Sequence, residues 1–298
     1  MALHEQQHTG RNGLASAFRW SILFNTALSV VQLLVGTAFG SVALVGDAVH
    51  NLGDVAGLGL GWGAERLTTR PPTERFTYGF GRSTQLAALA NGVLIAMASA
   101  VVIVEGVQRL LQPEPVVSGP VAWAAAAGIA VNLLSARLFG HGHHHDLNRR
   151  AAVAHLLSDA LVSVAVLVSA LLVGLTGWLW LDALTGIGVG LAIAFTAVQL
   201  MRDALQVMLD AVPSHIQIRQ VRDVLQALPG VVDVHHVHIW CPSTTQVALT
   251  AHLRRTSDPA QDLDLLHRAK DALRNVGVDH ATLQLEPADS SIDSSSIV

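Results

Sequence analysis

Two short segments carry histidine and aspartate at the same spacing, His50-x-x-x-Asp54 and His155-x-x-x-Asp159. Residues four apart on a helix share one face and lie about one turn apart along its axis, so each pair can reach a single point. Two such helices packed face to face offer two imidazoles and two carboxylates. That donor set suits a tetrahedral d¹⁰ ion, whereas magnesium or calcium would want more oxygens and no nitrogen. Zinc fits best, with cadmium and cobalt close behind. Asp47, three residues before His50, sits on a neighbouring face, and we assign it a supporting role, as a helix N-terminal partner or an outer carboxylate that orients a ligand.

Both pairs fall in strongly apolar stretches. The chain of 298 residues is 51% hydrophobic and only 13% charged, against the quarter or so of charged residues usual in soluble proteins. An ionisable residue inside a membrane span costs roughly 2.5–3.5 kcal/mol on insertion scales, so each one demands a partner or a function. Six stretches approach the roughly 20 apolar residues that a hydrocarbon core requires. They lie near 19–39, 42–63, 84–108, 118–139, 151–176 and 181–201. Arg66, Arg70, Arg75 and Arg82 follow the second, and Arg137, Arg149 and Arg150 flank the break after the fourth, while the other breaks carry only Arg109. By the positive-inside rule the arginine-rich loops and both termini are cytoplasmic.

Several function classes drop out. A net charge of −4 with mixed signs gives no footprint for nucleic acid. One cysteine, Cys241, excludes an internal disulfide framework and any multi-cysteine metal site, whereas fifteen histidines leave a large pool of nitrogen ligands. Residues 1–18 form a polar tail without signal-peptide pattern, so the first apolar run is expected to remain as a helix. Glycines crowd the second span (Gly53, Gly57, Gly59, Gly61, Gly63) and recur in the sixth (Gly186, Gly188, Gly190), where small residues permit close helix approach. Asn25, Asn91, Asn132, Glu105 and Asp182 are accounted for by interhelical hydrogen bonds or a place near the interface.

The predicted architecture is therefore an all-α six-helix membrane domain over residues 19–204, a linker at 205–212, and a cytoplasmic α+β domain over 213–288. In the latter, Pro213 and Ser214 open a helical stretch to about Leu228. Alternating apolar residues then place strands near Val231–Trp240 and Gln246–Leu253, followed by a helix over Pro259–Asn275 and a strand over Ala281–Glu286. The αββαβ order is that of a two-layer domain. Residues 289–298, rich in serine and acid, are expected to be disordered. A histidine tract, His141, His143, His144 and His145, falls in the cytoplasmic break between spans four and five, where such tracts bind metal readily but weakly.

Three segments together resemble the cation diffusion facilitators, in particular their cobalt-zinc-cadmium resistance and zinc-export branch. These are Ser41-Val-Ala-Leu-Val-Gly-Asp-Ala-Val-His-Asn-Leu-Gly-Asp54, Arg75-Phe-Thr-Tyr-Gly-Phe-Gly-Arg82 and His155-Leu-Leu-Ser-Asp159. The resemblance runs over nearly the whole chain. It implies a homodimeric proton-coupled antiporter in the inner membrane, with a ferredoxin-like cytoplasmic domain and a transport site at His50, Asp54, His155 and Asp159. It also implies a pairing of Arg82 with Asp210 and regulatory zinc at His235, His252 and Glu286. Two departures stand out. Residues 64–82 hold no histidine, so no metal is expected in that loop. Gln284 takes a position where relatives carry histidine, and glutamine is a poor zinc ligand, so the cytoplasmic site is reduced unless His236, His238 or His267 compensates.

Zinc is thus the expected substrate and a possible regulatory ligand, with no resident cofactor. Metal ions, protons, the bilayer and a second copy of the chain are the expected partners. An intramembrane metalloenzyme would need a His-Glu-x-x-His motif or a glutamate general base beside the pairs, and neither occurs. A pure metal sensor would not need His-x-x-x-Asp in two spans.

Overall fold

The computed structural model describes residues 22–140, 147–243, 246–256 and 259–289. Six long helices come first: α1 (Ile22–Ala38), α2 (Val42–Thr68), α3 (Ser83–Leu111), α4 (Ser118–Gly140), α5 (Leu147–Thr176) and α6 (Trp180–Met208). Four of them, α3 to α6, are long and apolar enough to cross a membrane. The described part of α1 is shorter. Helix α2 has 27 residues, ample length at 1.5 Å per residue, but Asp47, His50, Asn51 and Asp54 dilute its apolarity. Helices α2, α3, α5 and α6 outrun the apolar stretches read from sequence, because a helix does not stop where its side chains turn polar. Residues 205–208, expected in a linker, continue α6.

The chain forms two compact units, one gathering the residues up to Leu60 with Ala90–Leu200, the other Gly61–Leu89 with the chain from Met201 on. In the first unit, Gly40 (φ 76°) turns the chain between α1 and α2. The start of α2 is tied down by α6: Ser41 Oγ donates to Asp182 at 2.5 Å, and the Val42 N–H donates to the same carboxylate at 2.7 Å. Ser41 Oγ also accepts from the Leu44 N–H at 3.1 Å. These contacts satisfy donors that every helix start leaves open, and they set an anion against its positive end. Arg109 fixes the same corner, donating to the Gly40 carbonyl at 3.2 Å and pairing with Glu105 and Glu114 at 3.0 Å each. Ala43 and Leu44 of α2 pack with Val121, Ala124 and Ala125 of α4 and with Val166 and Ala170 of α5 in one buried apolar cluster.

In the second unit α6 ends at a left-handed residue, Asp210 (φ 58°), a conformation that aspartate tolerates better than most side chains. Its carboxylate meets the Arg82 guanidinium. Beyond it run α7 (Ile218–Gln226), β1 (Val231–Ser243), β2 (Gln246–Arg255), α8 (Asp262–Asn275) and β3 (His280–Pro287). The αββαβ order read from sequence is present. Helix α7 starts later than expected, because Pro213 opens a turn in which the Ile216 N–H donates to its carbonyl. The sheet runs β1-β2-β3, with β1 antiparallel and β3 parallel to β2. Val221 and Leu225 of α7, Ala269 and Leu273 of α8, and Val247, Leu249, Ala251 and Leu253 of β2 form one core. With helices on one face only, the other face of the sheet holds its polar residues.

Candidate metal centre

Helices α2 and α5 bring the two His-Asp pairs together. His50 Nε2 lies 3.3 Å from Asp159 Oδ1 and 3.9 Å from Asp54 Oδ2, while His155 Nε2 lies 3.2 Å from Asp54 Oδ2 and 3.6 Å from Asp159 Oδ2. Imidazole and carboxylate therefore alternate around a four-membered ring. One ligand atom each from His50, Asp54 and Asp159 falls within 4.8 Å of the others. The two imidazoles stand farther apart, with centroids separated by 6.3 Å.

Asp159 is 3% exposed, and its Oδ1, like Asp54 Oδ2, is a buried oxygen without a well-aligned hydrogen bond. Buried acceptors left in that state are uncommon and call for a partner. A cavity of about 110 Å³ reaches the centre from one side, lined by Asn25, Asn51, Asp54, Leu58, His155 and Asp159. Asn25, read from sequence as an interhelical or interfacial polar residue, stands at this cavity.

Asp47 does not orient His50. It is fully buried, and its Oδ2 accepts hydrogen bonds from Gln32 Nε2 of α1 at 3.0 Å and Ser163 Oγ of α5 at 2.9 Å. The correction has a simple cause, since three residues along a helix turn the side chain far enough to meet α1 and the next turn of α5. Neither Gln32 nor Ser163 was singled out from sequence. Ser163 left a signal, standing four residues after Asp159 on the same face.

A second cluster forms on the polar face of the sheet. In the β1–β2 ladder His235 stands opposite His252. Their nitrogens approach Glu286 of β3, His235 Nε2 at 3.4 Å and His252 Nδ1 at 2.8 Å. Gln284 donates its amide to Glu286 Oε1 at 3.0 Å, which is a supporting contact rather than a ligand's place. His236 joins them through a β-bulge. The register slips between His235 and His238, and His236 takes φ 48°, so two consecutive side chains reach one side of the strand. Ligand atoms of His235, His236 and His252 lie within 4.8 Å of one another. His238 and His267 are not in that group, and both are exposed. The tract His141, His143, His144 and His145 lies outside the described residues. Cys241, in β1, is half-buried; burial pushes its thiol up, against an opposing pull from Arg82.

Comparison with known proteins shows the family. The family model of the cation efflux transmembrane domain matches residues 19–209, and that of the cation efflux protein cytoplasmic domain matches residues 213–288. The chain is 33% identical to the zinc transporter ZitB of Escherichia coli (strain K12) over 287 residues, covering 95% of this chain and 91% of the relative. Against the metal cation efflux system protein CzcD of Cupriavidus metallidurans identity is 28%, over 96% of this chain and 90% of the relative. A cadmium, cobalt and zinc/H(+)-K(+) antiporter of Bacillus velezensis is 26% identical over 96% of this chain and 92% of its own length.

Proposed function

We propose, for a chain that belongs to the cation efflux family of multi-pass membrane transporters, that its cargo is zinc, with cadmium or cobalt as lesser substrates, and that it exports this cargo from the cytoplasm in exchange for protons. The transport site is His50, Asp54, His155 and Asp159. One observation carries the reading: α2 and α5 bring two imidazoles and two carboxylates together, each histidine Nε2 lying 3.2 to 3.9 Å from an oxygen of both aspartates, a donor set and spacing that suit a tetrahedral zinc ion with bonds of about 2.0 Å. Relatives whose names give zinc as cargo support the same choice.

Arginine placement puts the α2 C-terminus and both chain termini in the cytoplasm of an inner-membrane protein. On that topology the cavity beside Asp54 and His155 faces the cytoplasm, and the apolar cluster around Leu44 and Val166 closes the outward half. Zinc binds deprotonated imidazole and carboxylate, so loading releases protons. Imidazoles titrate near neutrality in general, and a more acidic exterior restores the protons and drives the metal off once the helices open outward.

The second cluster, His235, His236, His252 and Glu286, is a regulatory zinc site in a cytoplasmic domain over 213–288 that pairs two copies of the chain. The tract His141, His143, His144 and His145 offers weak metal capture in the cytoplasmic loop. Vesicles reconstituted with the protein and loaded at acidic internal pH should take up zinc. Uptake that persists after the pH difference is collapsed overturns the antiport, and uptake undiminished in His50→Ala and Asp159→Ala overturns the site.

A further inference from the structure

The contacts between α2 and α5 form a ladder. Asp54 faces His155, His50 faces Asp159, and Asp47 faces Ser163, at 3.2, 3.3 and 2.9 Å. Along α2 these residues step by four and three positions, and along α5 by four and four in the opposite sense, as two antiparallel helices with one rung per turn require. The first two rungs are the metal centre. The third holds no metal ligand, yet it is the most enclosed: Asp47 and Gln32 are fully buried and Ser163 is 1% exposed.

A carboxylate so placed, little more than one turn from the start of α2 and fully buried, is costly to keep. It stays because three helices donate to it or close around it. Gln32 of α1 and Ser163 of α5 share Asp47 Oδ2. Helix α4 contributes Gly128, where a Cβ would stand 2.8 Å from Gln32 Nε2 and 2.9 Å from Ser163 Oγ. Only a bare backbone leaves room for this junction. Below it, α2 and α5 meet through the His-Asp pairs themselves, at 3.3 and 3.2 Å. Above it, the packing is apolar and without direction.

We propose that Asp47, with Ser163 and Gln32, is the positioning element that fixes the register of α2 against α5, and through it the size of the metal site and its preference for zinc over the larger cadmium ion. The proposal rests on the assignment of His50, Asp54, His155 and Asp159 as the transport site. Asp47 touches no cargo. Its effect reaches the metal through the helix backbone: the Asp47–Ser163 bond holds the two pairs at separations that suit bonds of about 2.0 Å, and its loss lets the centre widen.

The test compares zinc and cadmium uptake in acid-loaded vesicles for the wild type, Ser163→Ala, Gln32→Ala, Asp47→Ala and the double variant Asp47→Ala/Ser163→Ala. In Ser163→Ala, which removes one hydroxyl and leaves every helix intact, the zinc KM should rise about tenfold, the low end of the loss that outer partners of a metal site produce. Maximal rates should hold, and the zinc-to-cadmium ratio of kcat/KM should fall several-fold. Gln32→Ala should shift the ratio in the same direction. The double variant should be no worse than its more damaging parent, since both substitutions remove one bond.

An unchanged ratio and KM in Ser163→Ala and Gln32→Ala overturns the proposal, as does an equal loss of maximal rate for both metals with the ratio intact, which marks a merely structural role. If Asp47→Ala does not fold, those two variants decide. His50→Ala serves as the control: zinc uptake by the wild type that vanishes in His50→Ala upholds the transport site whatever Ser163→Ala does. Absence of uptake in the wild type sinks both readings together.

Discussion

The molecule holds two clusters of histidine and carboxylate, and they are built by different rules. Between α2 and α5 each helix supplies a histidine and an aspartate four residues apart, so helical periodicity alone puts the four on facing surfaces. On the cytoplasmic sheet the same residue types come from three strands, with one member delivered by a bulge. The helical centre is backed by buried, directional bonds from three helices, whereas the sheet cluster leans on a single buried carboxylate, Glu286. A site assembled by periodicity and locked from behind suits an ion that must be held tightly and then released by moving helices. A site assembled by register suits an ion that reports its presence.

Breaking the helical ring should have the largest effect. Alanine at His50, Asp54, His155 or Asp159 should lower zinc flux in vesicles by more than the roughly 100-fold at the top of the range for outer partners, because a ligand itself is lost. Acidification probes the same ring without mutation. On the proposed reading zinc competes with protons for both imidazoles, so affinity, measured by equilibrium binding to the purified protein, should fall as pH is lowered, by up to about 100-fold per unit where two protons are displaced. A slope of one proton or none would show that a single imidazole, or neither, is engaged.

The sheet cluster should respond more gently. Glu286→Gln and His236→Ala should each weaken zinc binding at the cytoplasmic site roughly tenfold, read in a background that carries His50→Ala, while leaving flux in the otherwise unaltered protein above that of any helical-ring variant. His238→Ala, on the exposed side of the same strand, should leave binding unchanged; an equal loss there would remove the bulge from the account. The smallest effect belongs to Arg82→Ala. Its pair with Asp210 is largely exposed, with the two side chains at 42% and 55%, so removing it should cost no more than about 1 kcal/mol of stability in a thermal or denaturant titration.

The same contrast explains what could be read in advance. Helix periodicity is local, so His50, Asp54, His155 and Asp159 were legible as one centre from two short motifs, and alternation of apolar residues placed the three strands. Asp47 was legible as an anomaly but not as a junction, because its partners Gln32 and Ser163 are uncharged residues from other helices, and nothing local distinguishes them from ordinary polar positions in a span. His236 was one of three compensating histidines with no means of choosing among them. Its selection depends on a register slip and a left-handed backbone, both set by pairing across strands. The late start of α7 and the helical residues 205–208 are misses of a plainer kind, since composition marks where polarity changes and not where hydrogen bonding stops.

The diluted apolarity of α2 bears on how the protein is made. During synthesis α2 leaves the ribosome well before α5, so Asp47, His50 and Asp54 reach the bilayer while Ser163, His155 and Asp159 do not yet exist as chain. An insertion apparatus that weighs each segment by its apolar content will hold α2 less firmly than α3 or α6. Helix α1, whose Gln32 is already available to Asp47, is the partner it has from the outset, so the α1–α2 hairpin enters first and α5 adds the second donor, Ser163, later.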